Sequence, residues 1–417
     1  MNSPPETIPI QRYIGIDIHK HYLMIGGQNR HQEWTLRPRK VQVSRFRDWA
    51  EKNFQPGDAV VIETTGSVWD IYDIVAPLVT RTQVAHARKV RQIAEARVKT
   101  DKEDIKRLIT LLIADIVPKV WVPPQHVREL RSLISFRWRL NKQITMSKNR
   151  LHSVVQRFNL NAPEGGLLTD KNRTWWEKQE FSDLTGFEVK QDLEIVKTLE
   201  GQKEAIDLKL AELSNTEPWA SDMVYLMQIP GIGLIFSMVI LSAIGDIKRF
   251  SHPKKLVGYA GLGAGVHDSG QKHQSKSITK EGRKELRWAL VEAAWVAVRF
   301  DPFWKAQFQR LEKRMPRNKA IVAIARRLLV SIWHILTKRE PYRHFDEETI
   351  AYKMLIWAQA IGEEGRQGLN RQQFAKYGLL RLGIGKDLER IVKGGGPRRI
   401  APTEEILALK PELAPPR

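Results

Sequence analysis

The sequence predicts an α/β domain followed by a mostly helical chain, and three observations predict it. Two apolar runs, Tyr13-Ile14-Gly15-Ile16-Asp17-Ile18 and Asp58-Ala59-Val60-Val61-Ile62-Glu63, read as core strands with helix-spaced residues between them. From Val127 to Phe158 apolar residues recur at heptad positions, as in a long coiled-coil-like helix. Beyond Pro218 the chain alternates glycine-rich turns with apolar helical runs.

Bulk properties bound the function. A chain of 417 residues has room for two or three domains with real cores. Lysine and arginine number 68 against 47 aspartates and glutamates, a net charge of +21. That balance argues for a polyanionic partner, whether DNA, RNA or an anionic membrane, and says nothing about fold. No run of about 18 apolar residues is read, and Met1–Gln11 lacks the basic-then-apolar pattern of a signal peptide, so no membrane partner is expected and a cytoplasmic setting is. Zero cysteines exclude disulfides, thiolate metal sites and cysteine nucleophiles together. Any metal must sit on oxygen or imidazole, which favours magnesium, or manganese, at carboxylates.

In chain order, strands are predicted at Arg12–Ile18, Tyr22–Gly27 and Gln32–Leu36, joined as an antiparallel meander. A helix over Val41–Asn53 carries Val43, Phe46 and Trp49 on one face, and the Asp58–Glu63 strand follows. Ser67 stands where it would cap a helix from Val68 to Ala76; a strand Gln83–His86 and a helix opening at Lys99-Thr100-Asp101-Lys102-Glu103-Asp104 complete the unit. This order suits a ribonuclease-H-like domain.

Strand alternation puts Ile14, Ile16 and Ile18 on one face and Tyr13, Gly15 and Asp17 on the other. A carboxylate on a core strand is costly unless a cation meets it, although an edge-strand Asp bonded to a loop would also fit. Asp101 and Asp104 are three apart and share a helical face, which suits a metal site but equally a solvated first turn favoured by the helix dipole. Asp17, Glu63, Asp101 and Asp104 together are what a pair of hard divalent cations on a phosphodiester needs.

Those four acids carry a resemblance. Gly15-Ile16-Asp17-Ile18-His19-Lys20, Glu63-Thr64-Thr65-Gly66 and Lys99-Thr100-Asp101-Lys102-Glu103-Asp104 resemble the D, E, D-x-x-D set of RuvC-like DEDD transposases, nearest to insertion-sequence family one-ten, the bridge-RNA-guided recombinases. The resemblance implies that Asp17, Glu63, Asp101 and Asp104 hold Mg2+, with Mn2+ as substitute. It also implies DNA as substrate and a structured guide RNA as partner.

After Pro123-Pro124, a seam of Val127, Leu130, Ile134, Arg137, Asn141, Ile144, Lys148, Leu151, Val155 and Phe158 is predicted to meet a second helix over Phe187–Leu213, making an antiparallel arm. The first helix holds eight basic residues, among them Arg131, Arg139, Lys142 and Arg150, against Glu129 alone; this fits a phosphate backbone, and alternatively a bundle helix paired by neighbouring acids. Met227-Gln228-Ile229-Pro230-Gly231-Ile232-Gly233 resembles a helix-hairpin-helix turn whose Gly231 and Gly233 expose N–H groups to phosphate, or a tight connection with no ligand. The glycine-dense Phe250–Gly270 stretch reads as loop, and Thr279 as cap of a helix Glu281–Arg299 with Lys272, Lys280, Arg283 and Arg287 around its start.

Ser269 in that loop reads as a turn serine or as a nucleophile toward phosphate. The block is similar to the second catalytic domain of the same transposases, which implies that Ser269 of Ser269-Gly270 is the nucleophile. The family's Gly-Leu-x-Pro and Ser-Ser-Gly are here Gly261-Leu262-Gly263-Ala264 and Asp268-Ser269-Gly270, leaving Ser275 and Ser277 as alternatives. A helix Asn318–Leu336 closes this domain, Asp346–Ala360 forms another, and a proline-rich mobile tail is predicted after Gly394-Gly395-Gly396.

The expected division is a RuvC-like DEDD domain over 1–124, a coiled-coil arm over 125–217, a serine-bearing domain over 218–340 and an extension over 341–417. The resemblance implies an insertion-sequence transposase or site-specific recombinase, prokaryotic and nucleoid-associated, that forms a phosphoserine link to DNA. With carboxylates and serine on separate domains, dimers or tetramers are expected. Two other functions compete: a RuvC-like junction resolvase or endonuclease using water, and a non-catalytic nucleic-acid-binding scaffold.

Overall fold

The structure, a computed structural model, describes residues 8–93, 100–169, 172–269 and 272–413; the side chains of 173, 266–269 and 272–276 are outside the description. Its contacts divide the chain into two compact units that meet in sequence between Pro124 and Gln125.

The first unit is mixed α/β, as expected. Strands β1 (Arg12–Ile18), β2 (Tyr22–Gln28) and β3 (Trp34–Gln42) form a meander, followed by α1 (Phe46–Asn53), β4 (Asp58–Glu63), α2 (Val68–Val75), β5 (Arg81–Ala85), α3 (Ala87–Ile93) and α4 (Asp101–Ile113). The sheet order is β3-β2-β1-β4-β5, with β1 antiparallel to β2 and parallel to β4. Its two central strands are buried on both faces. Ile14, Ile16, Val60 and Ile62 pack with Phe46, Ala50, Ile71 and Val75 on one side. On the other, Ala59 and Val61 pack with Leu108 and Leu112 of α4.

Two boundaries differ from expectation. β3 continues to Gln42, pairing Tyr22↔Gln42, so Val41 is strand, Val43–Arg45 is a 3-10 turn and the helix starts only at Phe46. Arg37-Pro38-Arg39-Lys40 resembles a chain breaker, but β3 is an edge strand, where proline and exposed charge are tolerated. After α4, Lys119 touches the sheet through one bridge, Ala85↔Lys119. Ser67 stands just before α2 but makes no capping hydrogen bond through its side chain.

The second unit is helical apart from two small ribbons. Its elements are α5 (Gln125–Arg157), α6 (Arg173–Glu177), α7 (Asp183–Ser214), α8 (Ala220–Met227), α9 (Leu234–Ile244), α10 (Pro253–Tyr259), β6 (Ala264–Ser269), β7 (Lys272–Ile278), α11 (Lys284–Phe300), α12 (Pro302–Glu312) and α13 (Arg317–Lys338). After these come α14 (Glu347–Ala360), α15 (Gly362–Gly365), α16 (Arg371–Arg381), β8 (Arg390–Ile391), β9 (Arg398–Arg399) and α17 (Thr403–Leu409). α9 is apolar on every side and fully buried from Ser237 to Ile244, which fits its central position. α13 is long and apolar enough to cross a membrane by length and composition, yet half of its apolar window is buried, with Ile321, Ile324, Leu328 and Ile332 inward.

α5 and α7 pack as an antiparallel pair, and the ion pairs Arg137–Asp207, Lys148–Glu200, Arg150–Asp192 and Arg157–Glu188 run in opposite chain directions. Arg137–Asp207 is part-buried; the other three are surface pairs that contribute only about 0–1 kcal/mol each, so they fix register more than stability. The buried seam departs from a strict heptad: Leu140 and Ser147 turn inward where Asn141 and Lys148 were expected, and Phe158 is exposed.

The tail that was expected to be mobile is folded as far as Leu413, the last described residue. Arg390–Ile391 pairs with Arg398–Arg399, and Ile400 and Ile406 are buried at 4% and 0% exposure. The glycines of 394–396 make the hairpin between those strands, where composition alone suggested a linker.

Gly231 is a tightly constrained turn residue. At φ +77° it lies against α11 so closely that a Cβ would come within 2.2 Å of the Ala293 carbonyl oxygen. Gly231→Ala is therefore expected to cost roughly 3 kcal/mol, combining left-handed strain with a backbone clash. Urea denaturation of the two proteins, compared at equal m-value, measures it.

Candidate active site

The acids come together through the packing of α4 on β1. Gly15 and Gly26 leave room for that helix: a Cβ at Gly15 would lie 3.0 Å from the Ile105 carbonyl oxygen, and one at Gly26 3.0 Å from the Ile105 side chain. Thr100 caps the helix by accepting from the Glu103 N–H at 3.3 Å, which sets Asp101 and Asp104 in its first turn. Asp17 follows the paired residues Ile16↔Ile62 on β1, and Glu63 follows them on β4, both on the face that α4 covers. Sequence thus reaches geometry through two glycines, a cap and a parallel register.

The carboxylates lie near enough to act on one another. The Asp17 carboxyl is raised above its ordinary value by burial first, with His19 opposing and Asp104 and Asp101 adding to the rise. Glu63 is raised by burial, then by Asp17 and Asp104, against Arg91 and Arg107. Contrast Asp58, fully buried on β4, which Arg12 meets with two hydrogen bonds of 2.7 Å and which is structural.

Three side chains that were not predicted complete the pocket. His19 Nε2 lies 3.1 Å from Asp17 Oδ2 and 3.8 Å from Asp101 Oδ2, without hydrogen-bond geometry to either. Tyr22 stacks on His19 with centroids 4.4 Å apart and donates its hydroxyl to Asp101 Oδ2 at 3.1 Å. Arg107 pairs with Asp104 at 3.2 Å. The signal for His19 was its place two residues after Asp17, and for Arg107 its place one helical turn after Asp104.

Among the described residues, no three acidic or histidine side chains are gathered as a metal cage. The donor chemistry nevertheless fits a hard divalent cation: four carboxylates, a surplus of negative charge that His19, Arg91 and Arg107 only partly answer, and no thiolate. Raised carboxyl values also fix a sign for stability. Their contribution is present below the ordinary values of 3.8 and 4.5 and is lost as pH rises through the higher folded-state values, because ionisation then crowds charge. Asp17→Asn is expected to stabilise the metal-free protein at pH 7 by about 0.5–2 kcal/mol, with the difference shrinking toward pH 4, as read by denaturant titration in EDTA.

Ser269 is placed differently from expectation. It ends β6, its backbone paired with Lys272 of β7, and is strand where the glycine density suggested loop; its side chain and Gly270 lie outside the described residues. Ser275 and Ser277 lie on β7. Thr279 caps no helix: its N–H bonds the Gly263 carbonyl at 3.0 Å, and α11 begins at Lys284 after a turn in which Lys280 and Gly282 have positive φ.

A transposase family model, the DEDD type of IS110, matches residues 14–160, and a second, described as Transposase IS116/IS110/IS902 family, matches residues 223–309. The chain belongs to this transposase family. Family relatives align across most of it. The transposase for insertion sequence element IS1111A of Coxiella burnetii is 24% identical over 80% of this chain and 91% of its own length. The pilin gene-inverting protein of Moraxella bovis is 26% identical over 79% and 97%. Two relatives from Sinorhizobium fredii, each 25% identical, align over 66% of their own length, just under two thirds. Membership makes the chain a DNA transposase or recombinase. The first family model contains all four acids, and the second contains Gly231 and Ser269.

Of the residues assigned to nucleic acid, several are engaged inside the helical unit. The Arg131 guanidinium donates to the carbonyls of Ser242 at 2.7 Å and Ala243 at 3.0 Å, and burial pulls its pKa down to about 10. Arg287 donates to the Ala260 carbonyl at 3.0 Å, Arg283 neighbours the Tyr259 phenol, and Arg150 is paired with Asp192. These correct the expectation that the whole basic set faces phosphate: the acids of α7 and the carbonyl-rich turns after α9 and α10 take up the charge. Gly231 is packed against α11, whereas Gly233, the residue before α9, has open space beside it. Arg139, Lys142 and Lys280 remain exposed, the first two stacked over Phe136 and Trp138. The Lys272 side chain lies outside the described residues.

Proposed function

We propose that this transposase cuts and rejoins insertion-sequence DNA by serine attack on a phosphodiester, with Asp17, Glu63, Asp101 and Asp104 of a ribonuclease-H-like domain holding two magnesium ions. The observation that carries the reading is the placing of Asp17 and Glu63 at the ends of β1 and β4 under the first turn of α4, where Asp101 and Asp104 act on Asp17, and Asp17 and Asp104 act on Glu63. Bound there, divalent ions would supply Lewis-acid polarisation of the scissile phosphate. Tyr22 fixes the Asp101 carboxylate by its hydrogen bond, Arg107 restrains Asp104, and the partly exposed His19 lies beside Asp17 at 3.1 Å.

The Ser269 hydroxyl would lose its proton as its oxygen bonds to phosphorus, while the bond from phosphorus to one deoxyribose oxygen breaks and that oxygen is protonated. Attack by the free hydroxyl of another strand reverses the link and releases the serine. The phosphoester bond is conserved throughout, which suits a chain with no Walker-type loop. A guide RNA selecting the DNA, a dimer or tetramer as the working form, and a cytoplasmic, nucleoid-associated setting belong to the same reading, supported by the +21 charge and the family.

The test is covalent trapping. The full chain is incubated with element-end DNA in Mg2+ or EDTA, denatured, and resolved by size, and copurified RNA is sequenced. A magnesium-dependent protein–DNA adduct supports serine chemistry. Cleavage without an adduct points to water and a resolvase-like nuclease; salt-sensitive binding with neither points to a scaffold.

A further inference from the structure

The acid pocket has a cation beside it that pairs with none of its carboxylates. Lys40 of β3 is opposite Met24 of β2, and Met24 is opposite Asp17 of β1. Residues directly opposite on neighbouring strands point to the same face, so Asp17, Met24 and Lys40 form one row on the side where Met24 meets Ile105 of α4. Two strand spacings put the Asp17 and Lys40 backbones about 9–10 Å apart. The Lys40 ammonium lies 4.5 Å from the centre of the Tyr22 ring, the same ring that stacks on His19 and whose hydroxyl holds Asp101. One aromatic side chain thus separates this charge from the pocket.

Lys40 is exposed, and its ammonium forms no ion pair among the described residues. The cations that meet the acids directly are His19, beside Asp17 and Asp101, and Arg107, paired with Asp104. Such a division of charge suits a metal-dependent site on DNA. An ammonium among the carboxylates would compete with divalent ions for them, whereas one a short step away leaves them open and still attracts the anionic backbone. The neighbouring Arg39 provides a contrast, since it is opposite Ile25, whose side chain packs in the core on the α1 and α2 side. Arg39 therefore leaves the other face of the sheet.

We propose that Lys40 positions the substrate, its ammonium binding a backbone phosphate of the strand being cut within about three nucleotide steps of the scissile one. A DNA strand advances 3.4 Å of axis per phosphate, so the span across β1, β2 and β3 corresponds to about three steps. A contact of this kind reads no base and fixes register. With one phosphate at the acids and a second at Lys40, the strand is held at two points and cannot pivot about the metals. The proposal rests on the reading that the four acids are the cutting site.

The test measures cutting of element-end DNA by the full chain with its copurified RNA in Mg2+, with a single uncharged methylphosphonate placed in turn at each phosphate around the cut. Lys40→Gln is expected to raise KM for unmodified DNA at least tenfold with kcat within twofold. The slope of log kcat/KM against log salt should become shallower by about one. Lys40→Arg, which keeps the charge, should restore both. In the parent, a methylphosphonate within three steps of the cut should lower kcat/KM about tenfold. That penalty should vanish at the same position alone in Lys40→Gln and persist in Arg39→Gln. A penalty that Lys40→Gln leaves in place, or removes only farther from the cut, or that Arg39→Gln removes equally, overturns the proposal. A fall in kcat with KM unchanged also overturns it, because it would mark Lys40 as a prop for Tyr22. Cutting that survives Asp17→Asn would instead remove the acids as the cutting site, so the two readings fail separately.

Discussion

An Asp17→Asn enzyme is expected to fold at least as well as the parent and to lose DNA cutting by on the order of 10³-fold or more, as removal of a metal ligand on a phosphodiester would require. The argument rests on where Asp17 sits. It is the carboxylate that the α4 pair acts upon and that itself acts on Glu63, and burial already raises it. Asparagine keeps the shape and hydrogen-bonding edge while removing the charge, so stability and activity should move in opposite directions. Asp104→Asn should behave alike, since it also loses attraction for Arg107 but relieves Asp17 and Glu63. The check is a quenched time course on element-end DNA in Mg2+, beside a denaturant titration of the same preparations. Unchanged turnover in both variants would remove the acids from the chemistry.

Ser269→Ala should abolish both recombination and the trapped adduct, a loss to background, because no other group would carry the phosphoryl link. Its position at the end of β6 makes alanine structurally mild: the backbone pairing with Lys272 does not need the hydroxyl. Binding of DNA and RNA, followed by gel shift, should therefore be retained. An adduct that persists and maps to Ser275 or Ser277 would move the nucleophile to β7; full activity without any serine dependence would end the phosphoserine mechanism.

The strand cores were legible because Ile14-x-Ile16-x-Ile18 keeps one face wholly apolar and Ala59–Ile62 has no polar residue that could break it. The acids were legible because a charge on such a strand needs a reason. What stayed hidden depended on partners remote in sequence. Arg131 reads as one more cation on a basic helix until Ser242 and Ala243 present their carbonyls 111 and 112 residues later. The ribbon around Ser269 hid behind glycine, which permits both loop and strand. Arg37–Lys40 looked like punctuation, since only the sheet order reveals that β3 is an edge. His19 and Tyr22 were in plain view, and only their stacking, which a strand-to-strand turn creates, ties them to Asp17 and Asp101.

Past the family-matched segments, α14 sends Lys353 back to the Gly231 turn. Its buried ammonium donates to the carbonyls of Met227 at 2.9 Å, Ile229 at 2.6 Å and Ile232 at 2.9 Å. Burial draws its pKa down to about 7, while three acceptors at once can be met only by the protonated amine. A ring of backbone carbonyls is ordinarily a seat for a dissolved monovalent ion, exchangeable with the buffer. Here the positive charge is tethered by a side chain. The turn before α9 thus takes its cation from α14, and a chain cut short before α14 would lose that charge from its centre.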